Sequence, residues 1–111
     1  MKYFCRNHER QGTCYHEFIG GAWDGKTFWS DDSICLHDEI FDDYPDFRTA
    51  WLIGFPEFET CGINRLTPEH WERIRGSSEE KGGAAWEIVS EIDNWMRETL
   101  ASHGFITILG I

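Results

Sequence analysis

A long repeat of apolar residues near the C-terminus constrains the fold more than any other feature of the sequence. Its members are spaced three and four residues apart, namely Ala85, Ile88, Val89, Ile92, Trp95, Met96 and Leu100. This spacing places them on one face of an α-helix, which a second layer must cover. Ser77 and Glu80 have capping-box spacing at its start. Gly82-Gly83 would delay that start, and Gly104 suits the position after the last helical residue. The pattern predicts an amphipathic helix over 78–102.

The first half of the chain favours a hairpin followed by a short helix. Residues 13–20 are rich in aromatic and β-branched side chains, and residues 26–29 continue that composition after Asp24-Gly25. Because Asp-Gly is a strong turn signal, these two segments predict an N-terminal hairpin. After Ser33 apolar residues alternate with acidic ones, which predicts a short helix that ends before Tyr44-Pro45.

The second half supplies further strands and a clear helix start. Residues 49–55 form a continuous apolar run that favours a strand over a helix, and residues 59–63 are a candidate partner strand. Thr67-Pro68-Glu69 is typical of a helix start, so a helix is predicted over 68–75, ending at Gly76. Residues 105–109 predict a short strand that joins the sheet. The predicted fold is therefore α+β, with a small antiparallel sheet and its N-terminal hairpin packed against the C-terminal helix.

Length and charge limit the kinds of protein that this sequence can specify. With 111 residues the chain is predicted to be a single domain, 1–111. Its 10 Lys and Arg and 20 Asp and Glu give a net charge of −10, which disfavours direct binding to nucleic acid. No stretch has the length of a membrane span and the N-terminal residues lack a signal-peptide pattern, so we expect a cytoplasmic protein, in a bacterium or a host cell.

Most of the negative charge lies in one stretch of the sequence. Residues 31–59 contain nine acidic residues and one basic residue, Arg48. Carboxylates around aromatic anchors fit a basic partner protein, because charge steers the encounter while aromatic rings supply affinity. The residues predicted to bind such a partner are Asp38, Glu39, Asp42, Asp43 and Asp46 for the electrostatics and Tyr44 and Phe47 as anchors. The alternative interpretation is a solvated helix and loop over ordinary core aromatics.

Three of the four cysteines lie close to a histidine in the sequence. The pairs are Cys5-x-x-His8, Cys14-x-His16 and Cys35-x-His37. Structural zinc is usually held by two such pairs from separate segments, so the first and third pairs are the predicted ligands. The predicted zinc site therefore consists of Cys5, His8, Cys35 and His37, with Cys14 and His16 as the second-ranked pair. The alternative is that the cysteines are small core residues, and disulfides are not expected in a cytoplasm.

The order of these short motifs resembles that of small zinc-knuckle accessory proteins of bacteriophages and prophages. The shared motifs, within residues 4–43, are Cys5-x-x-His8, Gly12-x-x-Tyr15, Gly21-Ala22-Trp23-Asp24-Gly25 and Cys35-x-His37. The resemblance implies that Cys5, His8 and Cys35 are zinc ligands. The chain departs from the pattern with His8 where a cysteine is usual and Asp38 where the fourth cysteine stands, which leaves the fourth ligand open. The resemblance also implies a mobile-element protein, and some proteins of this class antagonise host defence.

The charge pattern and the resemblance together predict an inhibitor rather than an enzyme. The sequence contains no P-loop, G-x-G-x-x-G, G-x-S-x-G or H-E-x-x-H motif. We expect an acidic protein that blocks the basic nucleic-acid-binding surface of a host-defence or toxin protein, as anti-CRISPR, anti-restriction and immunity proteins do. Two alternatives stay open. One is a small zinc-dependent hydrolase or nuclease that uses Cys5, His8 and Cys35 with an open fourth position, and the other is a structural subunit of a larger assembly.

Overall fold

Five antiparallel strands form one sheet. In the computed structural model, which describes residues 1–110, they are β1 (Phe4–Arg6), β2 (Tyr15–Gly20), β3 (Ile34–His37), β4 (Ile63–Leu66) and β5 (Ile106–Leu109). Their order across the sheet is β1-β3-β2-β5-β4, so the last strand in the sequence lies between β2 and β4. Phe18 on β2 is the register partner of Ile34 on β3 and of Ile108 on β5.

Helices cover one face of this sheet. In the described residues they are α1 (Glu39–Asp43), α2 (Pro45–Gly54), α3 (Pro68–Lys81) and α4 (Gly83–His103). Alternate strand residues such as Phe18 and Leu36 are buried among helical side chains such as Trp51 and Ile92. The predicted α+β class is confirmed. None of these helices combines the length and the apolar composition that crossing a lipid bilayer requires.

The C-terminal helix buries the apolar face that the sequence predicts. The fully covered residues of α4 are Ala85, Ile88, Val89, Ile92, Met96 and Leu100. Gly104 follows the helix with a φ of +83°, as predicted. The predicted start at residue 78 is wrong, because Gly82 and Gly83 have φ values of +66° and +51° and separate α4 from α3. Ser77 and Glu80 therefore lie inside α3 and do not cap α4.

The apolar run 49–55 is largely helical, and its prediction as a strand is wrong. All of it except the final residue belongs to α2, whose buried residues are Phe47, Ala50, Trp51 and Gly54. Steps of three and four between these residues place them on one helical face. The apolar content misleads because α2 also has apolar residues, Leu52 and Ile53, on its exposed side.

Three predicted boundaries of strands and helices also differ from those in the structure. Residues 34–37 form β3 instead of opening a helix, because they pair with strands on both sides, and α1 begins only at Glu39. The segment 59–63 contributes its last residue alone to β4, which pairs with β5. α3 begins at Pro68 as predicted, with Thr67 as its N-cap, but it continues through Gly76 to Lys81. One glycine inside a helix costs only about 1 kcal/mol, which packing of the flanking turns offsets.

The second strand of the predicted N-terminal hairpin is misplaced, because residues 26–29 form no strand and β3 pairs with β2 in their place. Asp24-Gly25 does make a turn, in which the Asp24 carboxylate accepts hydrogen bonds from the backbone N–H groups of Lys26 and Thr27. The chain beyond this turn remains a loop, and β2 pairs with β3 and β5 instead. The turn signal is therefore correct locally, but the turn lies within a longer loop, 21–33, that connects the paired strands β2 and β3.

A buried carboxylate holds the loop 21–33 in place. Glu17 on β2 is 1% exposed. It accepts hydrogen bonds from the N–H groups of Trp29 (2.8 Å) and Ser30 (2.9 Å) and from the Ser33 hydroxyl (2.6 Å). Trp29 has a φ of +64°, a left-handed conformation that costs a residue with a side chain roughly 1–2 kcal/mol. The loop therefore depends on one side chain that lies 12 to 16 residues before the groups that it binds.

Candidate partner-binding site

The acidic residues predicted to bind a partner lie on or next to two consecutive helices, α1 and α2. Asp38 immediately precedes α1, three further acids lie on α1, and the last lies in the first turn of α2. Four of them are exposed and are called the acidic corner below: Glu39, Asp42, Asp43 and Asp46. The corner has two sides, because Asp42 lines one cavity with Asp38 while Asp43 and Asp46 line another.

The carboxylates of the acidic corner form no ion pair in the described part of the chain, although Arg48 lines a cavity with Asp42 and Lys81 lines another with Asp43 and Asp46. Within residues 1–110, none of its four carboxylates has a cationic partner within 4.0 Å. On α3 and α4, by contrast, Glu72 and Asp93 share the guanidinium groups of Arg75 and Arg97. Carboxylates without a nearby cation project a stronger negative potential into solvent than paired ones do. The corner is therefore suited to attract a positively charged surface.

The two predicted aromatic anchors have different positions in the structure. Phe47 is 1% exposed, and its ring stacks on that of Phe41 with 5.3 Å between centroids. Phe47 is therefore a core residue beneath the acidic corner, which corrects its prediction as a contact residue. Tyr44 is half-buried and packs edge-to-face on Tyr3, with 5.4 Å between ring centroids. Only part of Tyr44 remains available to a partner.

The exposed apolar residues near this corner were missed by the sequence reasoning. Leu52 is 37% exposed and Ile53 is 58% exposed, and both lie on α2. They fall in the run 49–55, where a strand was predicted. A helical reading of residues 45–54 separates these two positions from the buried face, so helical periodicity is the signal that would have identified them.

A cavity of about 380 Å³ opens beside α1 and α2. Its walls include Asp38, Phe41, Asp42, Arg48, Trp51 and Phe58. The three aromatic rings are in mutual contact, with centroid distances of 5.7 Å (Phe41–Trp51), 5.6 Å (Trp51–Phe58) and 5.8 Å (Phe41–Phe58). The indole Nε1 of Trp51 is buried and has no acceptor among residues 1–110. The cavity thus combines an aromatic wall with two carboxylates.

A buried histidine fixes one of these carboxylates. The Nε2 atom of His16 lies 2.8 Å from Oδ1 of Asp38. The His16 ring is fully buried and packs edge-to-face on Phe41 and Phe58, with 5.7 Å between centroids in each pair. Asp38 is therefore held against the aromatic wall, whereas Asp42 has no such contact.

The four predicted zinc ligands do not form one cluster. Cys5 and Cys35 are register partners on β1 and β3. His8 is exposed in the 3-10 turn after β1, and the Nδ1 atom of His37 accepts a hydrogen bond from the Glu39 N–H. Nowhere in residues 1–110 do three or more His, Cys, Asp or Glu side chains lie close enough to hold a metal ion. The structure therefore gives no support to a zinc-knuckle fold, and these residues do not fit a zinc site as they stand.

The second-ranked pair does not fit a metal site either. Cys14 is exposed and precedes β2, whereas His16 is buried beneath the helices. Cys14 lies one residue before the start of β2. The His16 ring forms its hydrogen bond with Asp38 and not with a thiol.

Thiol reactivity should follow burial. Burial, with a smaller contribution from Cys5, raises the pKa of the Cys35 thiol to about 12, so only about one thiol in ten thousand is ionised at pH 8. Burial, followed by the charge of Glu9, also raises the pKa of Cys5. In the native protein at pH 8 we expect iodoacetamide to modify the exposed Cys14 and Cys61 first and Cys35 last. Peptide mass spectrometry over time measures this order, with protein in urea as the control in which all four thiols react. Modification of native Cys35 as fast as Cys14 would contradict the burial described here.

The likeness to zinc-knuckle proteins rests on short motifs and stays a prediction. Comparison with protein-family models, with curated proteins and with solved structures found no match to this chain.

Proposed function

We propose that this chain is a small acidic binding protein that occupies the positively charged nucleic-acid-binding surface of another protein and thereby inhibits it. The observation that supports the proposal is the acidic corner, where four exposed carboxylates lack a cationic partner among residues 1–110. The exposed Leu52 and Ile53 lie on the adjoining helix α2.

The chemistry of such a surface suits competition with nucleic acid. A surface that binds phosphates presents Lys and Arg side chains, and carboxylates can pair with the same groups. Charge then steers and orients the encounter, while apolar side chains that lose contact with water contribute affinity. The net charge of −10 also keeps the chain away from nucleic acid itself. Such binding weakens as the salt concentration rises, because salt screens exposed charges.

Two charge-reversed variants with the same net charge test the proposal. The corner variant carries Glu39→Lys, Asp42→Lys, Asp43→Lys and Asp46→Lys. The control variant carries Asp31→Lys, Glu79→Lys, Glu80→Lys and Glu98→Lys, which are exposed acids outside the corner. Four reversals change the net charge of each from −10 to −2. Any difference between the two variants therefore reports on where the charge lies.

The measurement is capture of proteins from a nuclease-treated host lysate at low and high salt, followed by displacement of labelled DNA or RNA from the purified captured protein. We expect the wild type and the control variant to retain a basic nucleic-acid-binding protein at low salt and to displace its nucleic acid. The corner variant should bind at least about 100-fold more weakly, because like charges then face each other. Equal behaviour of the two variants would contradict the proposal, and so would capture without any displacement of nucleic acid.

A further inference from the structure

The cavity beside α1 has the composition of a binding site for a flat cation. Phe41, Trp51 and Phe58 form its aromatic wall, in which Trp51 is 1% exposed, Phe41 is 8% exposed and the half-buried Phe58 offers the most accessible ring. Asp38 and Asp42 supply carboxylates four residues apart. Cations are attracted to the faces of aromatic rings and pair with carboxylates. Within residues 1–110 no cationic group lies over any of these three rings. The aromatic wall thus has no cation of its own.

We propose that this cavity binds the guanidinium group of an arginine side chain that the basic partner presents. The inference rests on the function proposed above, because it names the group on the partner that the acidic corner recognises. Asp42 is the residue that would pair with the guanidinium, since Asp38 is already bonded to His16. The volume of about 380 Å³ lies at the small end of ligand pockets, which suits one side chain rather than a larger molecule.

Arginine fits this site better than lysine does. The planar guanidinium stacks on aromatic rings and donates two parallel hydrogen bonds to one carboxylate. The lysine ammonium is a compact, strongly hydrated charge that loses more hydration on entering an aromatic cavity. The structure therefore predicts a preference among basic side chains and not only an attraction to positive charge.

Arg48 allows a test of whether the cavity binds a cation or an anion. It is the cationic side chain among the residues that line the cavity, and it is exposed and without an ion-pair partner in residues 1–110. Its charge opposes entry of a second cation and would favour entry of an anion. Removing this charge should therefore tighten arginine binding, whereas it would weaken binding of an anionic ligand.

The experiment is an NMR titration of the full ¹⁵N-labelled chain with N-acetyl-arginine-methylamide at low salt. The lysine analogue and the uncharged citrulline analogue serve as competing probes. We expect saturable shifts at the Trp51 indole N–H and at α1, with a Kd on the order of millimolar, weaker binding of lysine and no binding of citrulline. Absence of saturable shifts at these positions would overturn the proposal, and so would citrulline binding as tight as that of arginine.

Three single variants locate the interaction. Asp42→Asn should weaken arginine binding about 5-fold, the effect of one unit charge at about 4 Å in water. Asp43→Asn is the matched control, because Asp43 lines the other side of the corner, and we expect a change of less than about 2-fold at its greater distance. Arg48→Gln should tighten binding about 3-fold. Equal effects of Asp42→Asn and Asp43→Asn, or weaker binding by Arg48→Gln, would contradict an arginine site.

The outcomes separate this inference from the proposed function. If arginine does not bind but the corner variant alone loses the captured partner, the proposed function holds and the cavity proposal is wrong. If arginine binds as described but both charge-reversed variants capture the same proteins equally well, the cavity is a cation site and the proposed function is wrong.

Discussion

Replacing Glu17 with alanine is expected to lower the free energy of unfolding by about 3 kcal/mol, because the loss of a buried acceptor leaves its three donors without partners. The donors are the N–H groups of Trp29 and Ser30 and the hydroxyl of Ser33. Glu17→Gln is almost isosteric, but its NH₂ group would face donors, so we expect a loss of about 2 kcal/mol. Urea-induced unfolding followed by circular dichroism measures both changes.

A matched control separates this effect from the loss of any glutamate. Glu98 on α4 is exposed and makes no side-chain hydrogen bond or ion pair within residues 1–110, so Glu98→Ala should change stability by less than about 0.5 kcal/mol. Hydrogen exchange provides a local readout, because the Trp29 and Ser30 amides should lose protection in Glu17→Ala. Unchanged protection of these two amides would show that Glu17 does not hold the loop.

Gly54→Ala is expected to destabilise the protein by a similar amount, about 3 kcal/mol, because there is no room for a methyl group where α2 meets α3. A Cβ atom at Gly54 would lie 2.5 Å from the backbone N and 2.8 Å from the Cα of Ile74. Both are backbone atoms, so they cannot rotate away as the end of a flexible side chain can. The two helices would have to move apart, which loosens the packing around Trp51 and Trp71. Urea unfolding measures the loss.

For an alanine substitution at Gly76, in the same pair of helices, we expect the opposite effect on stability. It lies in α3, it is exposed, and an added Cβ would meet no atom within 4 Å. Gly76→Ala should therefore raise the free energy of unfolding by about 1 kcal/mol, since alanine favours the helix. If the two glycine substitutions shifted stability in the same direction, the close contact between α2 and α3 would not be the cause.

Local sequence signals were sufficient to predict α3 and α4, although not the boundary between them. The apolar residues of α4 recur within one segment, Gly104 follows its last turn, and Thr67 caps the start of α3, so no distant residue is needed to identify these elements. α2 was missed because its apolar run 49–55 has the composition of a strand, although the steps of three and four between its buried residues fit a helix. The loop 21–33 was missed for a different reason, since Glu17 is too far away in sequence for a local pattern to include it.

The candidate site likewise has one part that the local sequence predicts and one part that it does not. The acidic corner follows from residues close together in sequence, so counting charge was sufficient to locate it. The cavity is formed by α1, α2 and Phe58, which packs on His16 of β2. No local sequence pattern predicts that these elements lie together. Residues 1–110 do not bring the four predicted zinc ligands together, because spacing in sequence does not determine which strand face or turn receives each side chain.

The position of β5 in the sheet has a consequence for how the protein is made. β5 lies between β2 and β4, yet it is the last of the five strands to leave the ribosome. Until then β4 has no partner strand, and the side of β2 that β5 will cover is open. Unpaired strand edges and uncovered apolar surface promote aggregation of nascent chains. The newly made chain is therefore most exposed to misassembly just before β5 emerges, and its sheet closes in a single late step.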